Sequence, residues 1–384
     1  MGVVETASRG ESRAGGTITS SRHGSVCLTA PARSIGSRRG TLAVVNELAS
    51  WLNTKRWNVQ IVAGALPRVE APLGGMPVDL LRSWGSDAPP PDPDEGSTAV
   101  LTTAMRLRRA QPGIVHAFSA ADGLAAVSAK FPFVLRREID IQPEEFLGRP
   151  LRWQMFSMVL GSARRLVCTN RGVARSLRDV YGFEADVVPD GIDLSRFGRV
   201  ETERQSGLVV CASTATGRLS GVEELVDAFS IVAHQSPAAE LAFAGPVAAG
   251  DRDRWTRRAS PLAQQRIRFL GQLEESRLLR WLARASVTCF PSLCEGSGRE
   301  MVESLALGTP VVAVDEGVAS DIVDPDVGAR FPRGDAHSFA RALSEVLRRH
   351  GDATSAAACR KRAESYDWDA VGPQLLEVYR GVVE

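Results

Sequence analysis

The chain has few of the residues from which metal sites, disulfide frameworks and membrane spans are built. Its 384 residues include only six cysteines and five histidines. No two cysteines form a CxxC pair and the histidines are scattered, so the sequence predicts no structural zinc and no metal cofactor. Cys27, Cys168, Cys211 and Cys289 lie inside the apolar runs SVCLTA, RLVCTN, LVVCAS and VTCFPS, where they read as small buried hydrophobes; reduced thiols suit a cytosolic protein. No apolar run approaches the roughly 18 uncharged residues of a membrane helix. The first twenty residues also lack the apolar centre of a signal peptide. The expectation is a cytoplasmic protein without a transmembrane segment. An excess of one charge is missing too, since 46 basic against 45 acidic side chains leave +1, and no nucleic-acid partner is expected.

What is present is enough chain for two α/β domains, with 44% apolar and 24% charged residues, ordinary for a globular protein. Residues 1–22, rich in Gly, Ser, Thr and charge, predict a flexible tail. The run SVCLTA (25–30), a glycine-bearing loop, a helical spacing of Leu42, Val45, Leu48, Ala49 and Leu52, and the run NVQIVAG then form a βαβ pattern. Pro67 to Ser97, with SDAPPPDPDEGS, reads as a surface loop or partly ordered insertion. GIVHAF (113–118), PFVLR (132–136) and RRLVCTN (164–170) are further strands with helical stretches between them. After ADVVPDGIDLSRF (185–197) a fresh series begins, LVVCAS, ELAFAG, IRFLG, VTCFPS and TPVVAVD, again alternating with helices. Repeated alternation predicts doubly wound, mostly parallel sheets with ligands at the carboxyl ends of the strands. The boundary between two such domains falls near 200.

The stretch 287–317 carries the most chemistry, because a strand there delivers a Gly-rich loop to a helix N-terminus. Gly296 and Gly298 let the backbone approach a ligand, and the amides around Met301 and Val302, with the helix dipole, favour a diphosphate. Glu295 and Glu303 bracket the turn with seven residues between them. Both carboxylates can point into one cleft and accept bidentate hydrogen bonds from sugar and ribose hydroxyl pairs. The plain alternative is a loop charge and a solvated helix face.

This string resembles the family 4 retaining glycosyltransferases, whose donor site has an E-G-x-G loop, two glutamates at this separation and a following G-T-P-V-V-A; Glu295, Gly296, Gly298, Glu303, Gly308, Thr309, Pro310, Val311, Val312 and Ala313 all match. VVPDGIDLSRF is similar to the family's interdomain V-P-N-G-V-D segment, and residues 267–292 to its base-binding strand and the helix after it. The resemblance covers roughly residues 24 to 384. It implies a GT-B fold, two Rossmann-like doubly wound α/β domains facing across a cleft. An acceptor domain spans 23–198, completed by a C-terminal helix at about 366–384 with Trp368 as its packing anchor, and a nucleotide-sugar domain spans 199–365. It further implies a metal-independent transfer of sugar with retention, from a nucleotide-sugar to a small-molecule or glycan acceptor. Glu295 would hold the transferred sugar, Glu303 the ribose, the amides at Met301 and Val302 the diphosphate, and the backbone from Arg268 to Leu270 the base. Gly40 stands where the second glycine of an N-terminal loop near the donor falls, and His116 ends a strand that lines the acceptor cleft; a buried, satisfied histidine is the alternative.

Two departures stand out. At the family's phosphate-binding Arg and Lys this chain has Ala215 and Ser220, so Arg218 or Arg299 is expected to substitute, unless both are simply exposed. Ser297 and Arg299 also stand where the family is often apolar or aromatic. After PFVLR an acidic run, Glu138, Asp140, Glu144 and Glu145, suggests a cationic acceptor such as an aminocyclitol, in secondary metabolism; a solvated loop is the alternative. Asp92-Pro93-Asp94 and Asp324-Pro325-Asp326 imitate a D-x-D metal motif but carry proline and do not follow apolar strands. Two other functions remain open on the sequence: a noncatalytic glycosyltransferase-like partner protein, and a GT-B nucleotide-sugar epimerase.

Overall fold

A computed structural model of the chain describes residues 24–30, 41–63, 78–80, 97–138, 141, 146, 150–198, 200, 202–212, 220–292 and 296–383. Their strands form two sheets. The first holds β1 (Ser25–Ala30), β2 (Asn58–Ala63), β3 (Val78–Leu80), β4 (Ile114–Ala117), β5 (Phe133–Arg137), β6 (Arg165–Cys168) and β7 (Asp186–Val187), in the order β3-β2-β1-β4-β5-β6-β7. The second holds β8 (Leu208–Cys211), β9 (Glu240–Phe243), β10 (Ile267–Phe269), β11 (Val287–Phe290), β12 (Val311–Val314) and β13 (Gly328–Phe331), in the order β10-β9-β8-β11-β12-β13. Every pairing is parallel. Each order reverses once, between β1 and β4 and between β8 and β11, and such a switch point opens a crevice at the strand carboxyl ends.

Around the first sheet lie α1 (Thr41–Thr54), α2 (Ser97–Ala110), α3 (Ala120–Ala129), α4 (Pro150–Ser162) and α5 (Arg171–Tyr181). The second carries α6 (Val222–Gln235), α7 (Ala249–Arg258), α8 (Pro261–Gln264), α9 (Glu275–Arg284), α10 (Arg299–Ala306), α11 (Ala319–Ile322), α12 (Ala336–Leu347) and α13 (Ala353–Glu364). Helices on both faces explain why β4, β8, β11 and β12 are buried along their whole length and read as unbroken apolar runs. Cys27, Cys168, Cys211 and Cys289 are buried inside these strands. No helix among the described residues is long and apolar enough to cross a membrane.

The last helix, α14 (Trp368–Val383), returns from the second sheet to the first. Val371, Leu375 and Tyr379 share a core with Val26, Leu28, Val44 and Leu48, and the Trp368 ring stacks on Trp51 at 6.4 Å. The connecting segment is pinned where it passes: Ile192 N–H donates to Tyr366 O (2.8 Å), and Trp368 N–H donates to Ile192 O (3.3 Å). Trp368 also lies where any side chain at Gly191 would have to go.

The stretch from Pro67 to Ser97, expected as a surface loop or partly ordered insertion, contains the short strand β3, which pairs Val78 with Ile61 at the edge of the first sheet. Three residues offer no periodicity to detect, and an edge strand needs no continuous apolar run.

Candidate functional site

The site is built at the carboxyl end of β11. Gly298, immediately before α10, has φ 67° and ψ 18°, a left-handed conformation that glycine adopts without strain. A Cβ there would also collide with Ile322 and press on Val318. Val302 N–H makes the first bond of the helical ladder, donating to Gly298 O at 3.1 Å. The amides of Arg299, Glu300 and Met301 therefore head α10 without a partner four residues back, and the helix dipole adds to their attraction for an anion. Of the two amides expected to hold phosphate, that of Val302 is committed to the ladder and that of Met301 is not.

Glu303 and Arg299 are both interior groups, 4% and 5% exposed, which removes the reading of either as a solvated surface residue. Arg299 Nε donates to Glu303 Oε1 at 3.2 Å, while its Nη1 and Nη2 donate to Glu47 Oε2 (3.2 Å) and Oε1 (2.5 Å). Glu47 belongs to α1, on the other sheet. The same carboxylate accepts from Arg196 Nη1 at 2.6 Å, the Asp193 amide at 3.2 Å and Trp368 Nε1 at 3.3 Å. One side chain thus gathers the first sheet, the connecting segment, the returning C-terminus and the head of α10. Burial alone would lower the Arg299 pKa; Glu303 and Glu47 more than reverse this, and it stands above its ordinary value. The expectation that Arg299 turns a free positive charge toward phosphates is corrected here, because two carboxylates already neutralise it.

The glycine loop is also held from the first sheet. Gly296 O accepts from Thr169 Oγ1 (3.0 Å) and Asn170 Nδ2 (3.3 Å), and Arg171 N–H donates to Asp321 Oδ2 at 2.7 Å. Asn170 caps α5, its Oδ1 accepting from Val173 N–H at 3.0 Å. Beside it, Arg136 at the end of β5 donates through Nε to Asp190 Oδ1 (3.0 Å) and through Nη2 to Asp190 Oδ2 (2.5 Å) and Glu138 Oε2 (3.2 Å). The Arg136 charge holds the Glu138 carboxyl below its ordinary value, while burial raises that of Asp190 against the pull of the same arginine. One positive charge thus faces two carboxylates, so the pairing fixes the half-buried Glu138 in place without cancelling the negative charge of the acidic run.

His116 lies in the packed interior. Its Nδ1 is 2.6 Å from Tyr379 Oη and its ring stacks on Phe118 at 4.5 Å; burial, then the nearby Arg136 charge, lower its pKa to about 3. The enclosed imidazole is only half satisfied, because its buried Nε2 has no hydrogen-bond partner among the described residues. Ser297 is half-buried in the loop. On β10 the Arg268 side chain is exposed and pairs with Glu240 at 3.1 Å, and the Leu270 amide donates to Phe243 O at 2.9 Å, so that amide is not available to a base. Gly40, Asp140, Arg218 and Glu295 lie outside the described residues, as do Glu144 and Glu145.

Sequence reasoning passed over Glu47, Thr169, Asn170, Arg136 and Asp190. Asn170 had a signal, a capping residue directly before a helical run. Asp190 had one too, as an acid within VPDG where the resembling segment has asparagine.

Two family profiles match, one described as Glycosyltransferase Family 4 over residues 39–196 and one as Glycosyl transferases group 1 over residues 206–349. The chain is 30% identical over 244 residues to a putative teichuronic acid biosynthesis glycosyltransferase, TuaC, of Bacillus subtilis, covering 59% of each chain. The matched stretches span little more than half the length of the curated relatives. Among solved structures, a sucrose-phosphate synthase from Thermosynechococcus elongatus superimposes with a TM-score of 0.77 at 19% identity, covering 92% of this chain and 98% of that one. The Anabaena protein HepE, in complex with UDP and glucose, gives 0.71 at 17% identity, covering 93% of this chain and all of its own.

Proposed function

The chain belongs to the family 4, group 1 glycosyltransferases and has their GT-B fold, and on that premise we propose that it transfers a sugar from a nucleotide-sugar to an acceptor hydroxyl. The observation that carries this is the left-handed Gly298 opening α10 beneath a loop clamped by Thr169 and Asn170, with Glu303 buried in the first turns. On this reading the diphosphate rests against the amides of Arg299 to Met301, and Glu303 and Glu295 take the ribose and the sugar. HepE, crystallised with UDP and glucose, supports a donor of that kind.

Retention is part of the proposal. A front-face transfer asks the protein for orientation and stabilisation of the leaving phosphate, which itself accepts the acceptor proton. The neutral, enclosed His116 is consistent with a route that needs no side-chain base. We place the reaction in the cytoplasm and without a divalent metal, the helix dipole and its amides facing the phosphates. The proposed cationic acceptor of secondary metabolism rests on the run Glu138, Asp140, Glu144 and Glu145, in which Glu138 shares Arg136 with Asp190.

One observation favours a noncatalytic partner protein instead: Ser220 stands at the family's lysine position and Arg299 is already paired. Incubation with UDP-, GDP-, ADP- and TDP-sugars in EDTA, with release of nucleoside diphosphate as the readout, tests the proposal. Release from one donor is expected. Loss of release in EDTA, restored by metal, removes the metal-independent part, and binding without release from any donor favours the noncatalytic reading.

A further inference from the structure

A cavity of about 650 Å³ lies between α9 and the segment that leads into β8, away from the glycine loop. Arg204, Arg277, Arg280 and Arg284 line it, with the Trp281 ring and a single carboxylate, Glu203. On α9 the three arginines recur at the spacing of one helix face, where like charges repel one another. Arginines elsewhere on this surface have found acids: Arg165 pairs with Asp186 (2.7 Å), Arg258 with Asp227 (2.6 Å) and Arg349 with Glu345 (2.7 Å). Arg277 and Arg280 have no such partner among the described residues.

The other two guanidinium groups are fixed in place. Arg204 Nη1 donates to Ala285 O (2.9 Å) and Thr309 Oγ1 (2.7 Å), and its Nη2 donates to Leu307 O (2.9 Å). Arg284 Nη2 donates to Gln205 Oε1 at 3.1 Å while its guanidinium lies 5.5 Å from the Trp281 ring centre. Two anchored and two free guanidinium groups around one concavity match the oxygens of clustered phosphates, which arginine recognises in bidentate fashion. We propose that this cavity binds a soluble small molecule carrying two or more phosphate groups, at a site separate from the glycine loop. Through Arg204 the site is tied to Leu307 and Thr309, just beyond the far end of α10, the helix whose head carries Arg299 and Glu303.

Calorimetric titration of the full chain with tripolyphosphate tests this, comparing wild type, Arg277→Ala/Arg280→Ala, and Arg257→Ala/Arg348→Ala. The last pair is exposed, removes the same charge and lines no part of the cavity. The expected result is that Arg277→Ala/Arg280→Ala loses one binding site, or weakens it at least about 10-fold, with unchanged melting temperature, while the control keeps wild-type binding. Wild-type binding by Arg277→Ala/Arg280→Ala, or an equal loss in the control, overturns the proposal.

Discussion

Arg136, at the end of β5, and Arg299, at the head of α10, are both buried and both held between two carboxylates, yet those carboxylates come from different places. Arg136 takes Asp190 and Glu138; one directly follows its own strand and the other lies 54 residues along the chain. Arg299 takes Glu303 from its own helix and Glu47 from across the molecule, 252 residues away. The first cluster depends on the folding of one sheet. The second depends on the two sheets being brought together, and it offers a mechanical role for an arginine that phosphate chemistry alone would have used otherwise.

Of the changes that probe this difference, the largest effect comes from Arg136→Met. It strands the buried Asp190 side chain, and the half-buried Glu138 beside it, without that counter-charge, and urea denaturation is expected to show a loss of about 3–5 kcal/mol. A loss below about 1 kcal/mol would mean that the cluster is wetter than its burial indicates.

The double-mutant cycle of Arg299→Met with Glu47→Gln separates the clusters more sharply. A coupling of about 1–3 kcal/mol is expected for that pair, and near-additivity for Arg136→Met with Glu47→Gln, which share no hydrogen bond. Equal coupling in both cycles would merge the two clusters into one network.

The third effect depends on pH and concerns His116. Its folded pKa of about 3 lies below the unfolded value near 6.5, so between these limits the unfolded chain binds the extra proton. Stability should therefore fall as pH drops from about 6.5 toward 3, by at most about 1.4 kcal/mol per pH unit, and this group adds nothing above that window. His116→Asn should flatten the slope of stability against pH, and in Arg136→Met the His116 pKa, followed by NMR, should rise because a neighbouring positive charge is gone. An unchanged slope in His116→Asn would show that another group governs the acid limb.

Strands such as SVCLTA, LVVCAS and VTCFPS could be read because helices cover both faces, so that burial writes itself as an unbroken apolar run. Gly298 could be read because its turn tolerates no side chain. Glu47 could not. It occupies an unremarkable position on an amphipathic helix, and its partners, Arg196, Arg299 and Trp368, are close to it only in space. The same distance hid the commitment of Arg299: its place in the glycine loop suggested a phosphate ligand, whereas the side chain turns to a carboxylate on the other sheet. Arg136 and Asp190 lay in readable motifs, but nothing local says that an arginine in one needs an acid in the other.

The central claim, that the head of α10 with Glu303 forms a nucleotide-sugar site, is tested most directly by calorimetric titration of UDP, GDP, ADP and TDP into wild type and Glu303→Ala. The account predicts that one nucleotide binds wild type and that Glu303→Ala weakens it by about 1.5–3 kcal/mol, the worth of charge-assisted hydrogen bonds to ribose, with the fold intact. Equal affinity in the two proteins would contradict it.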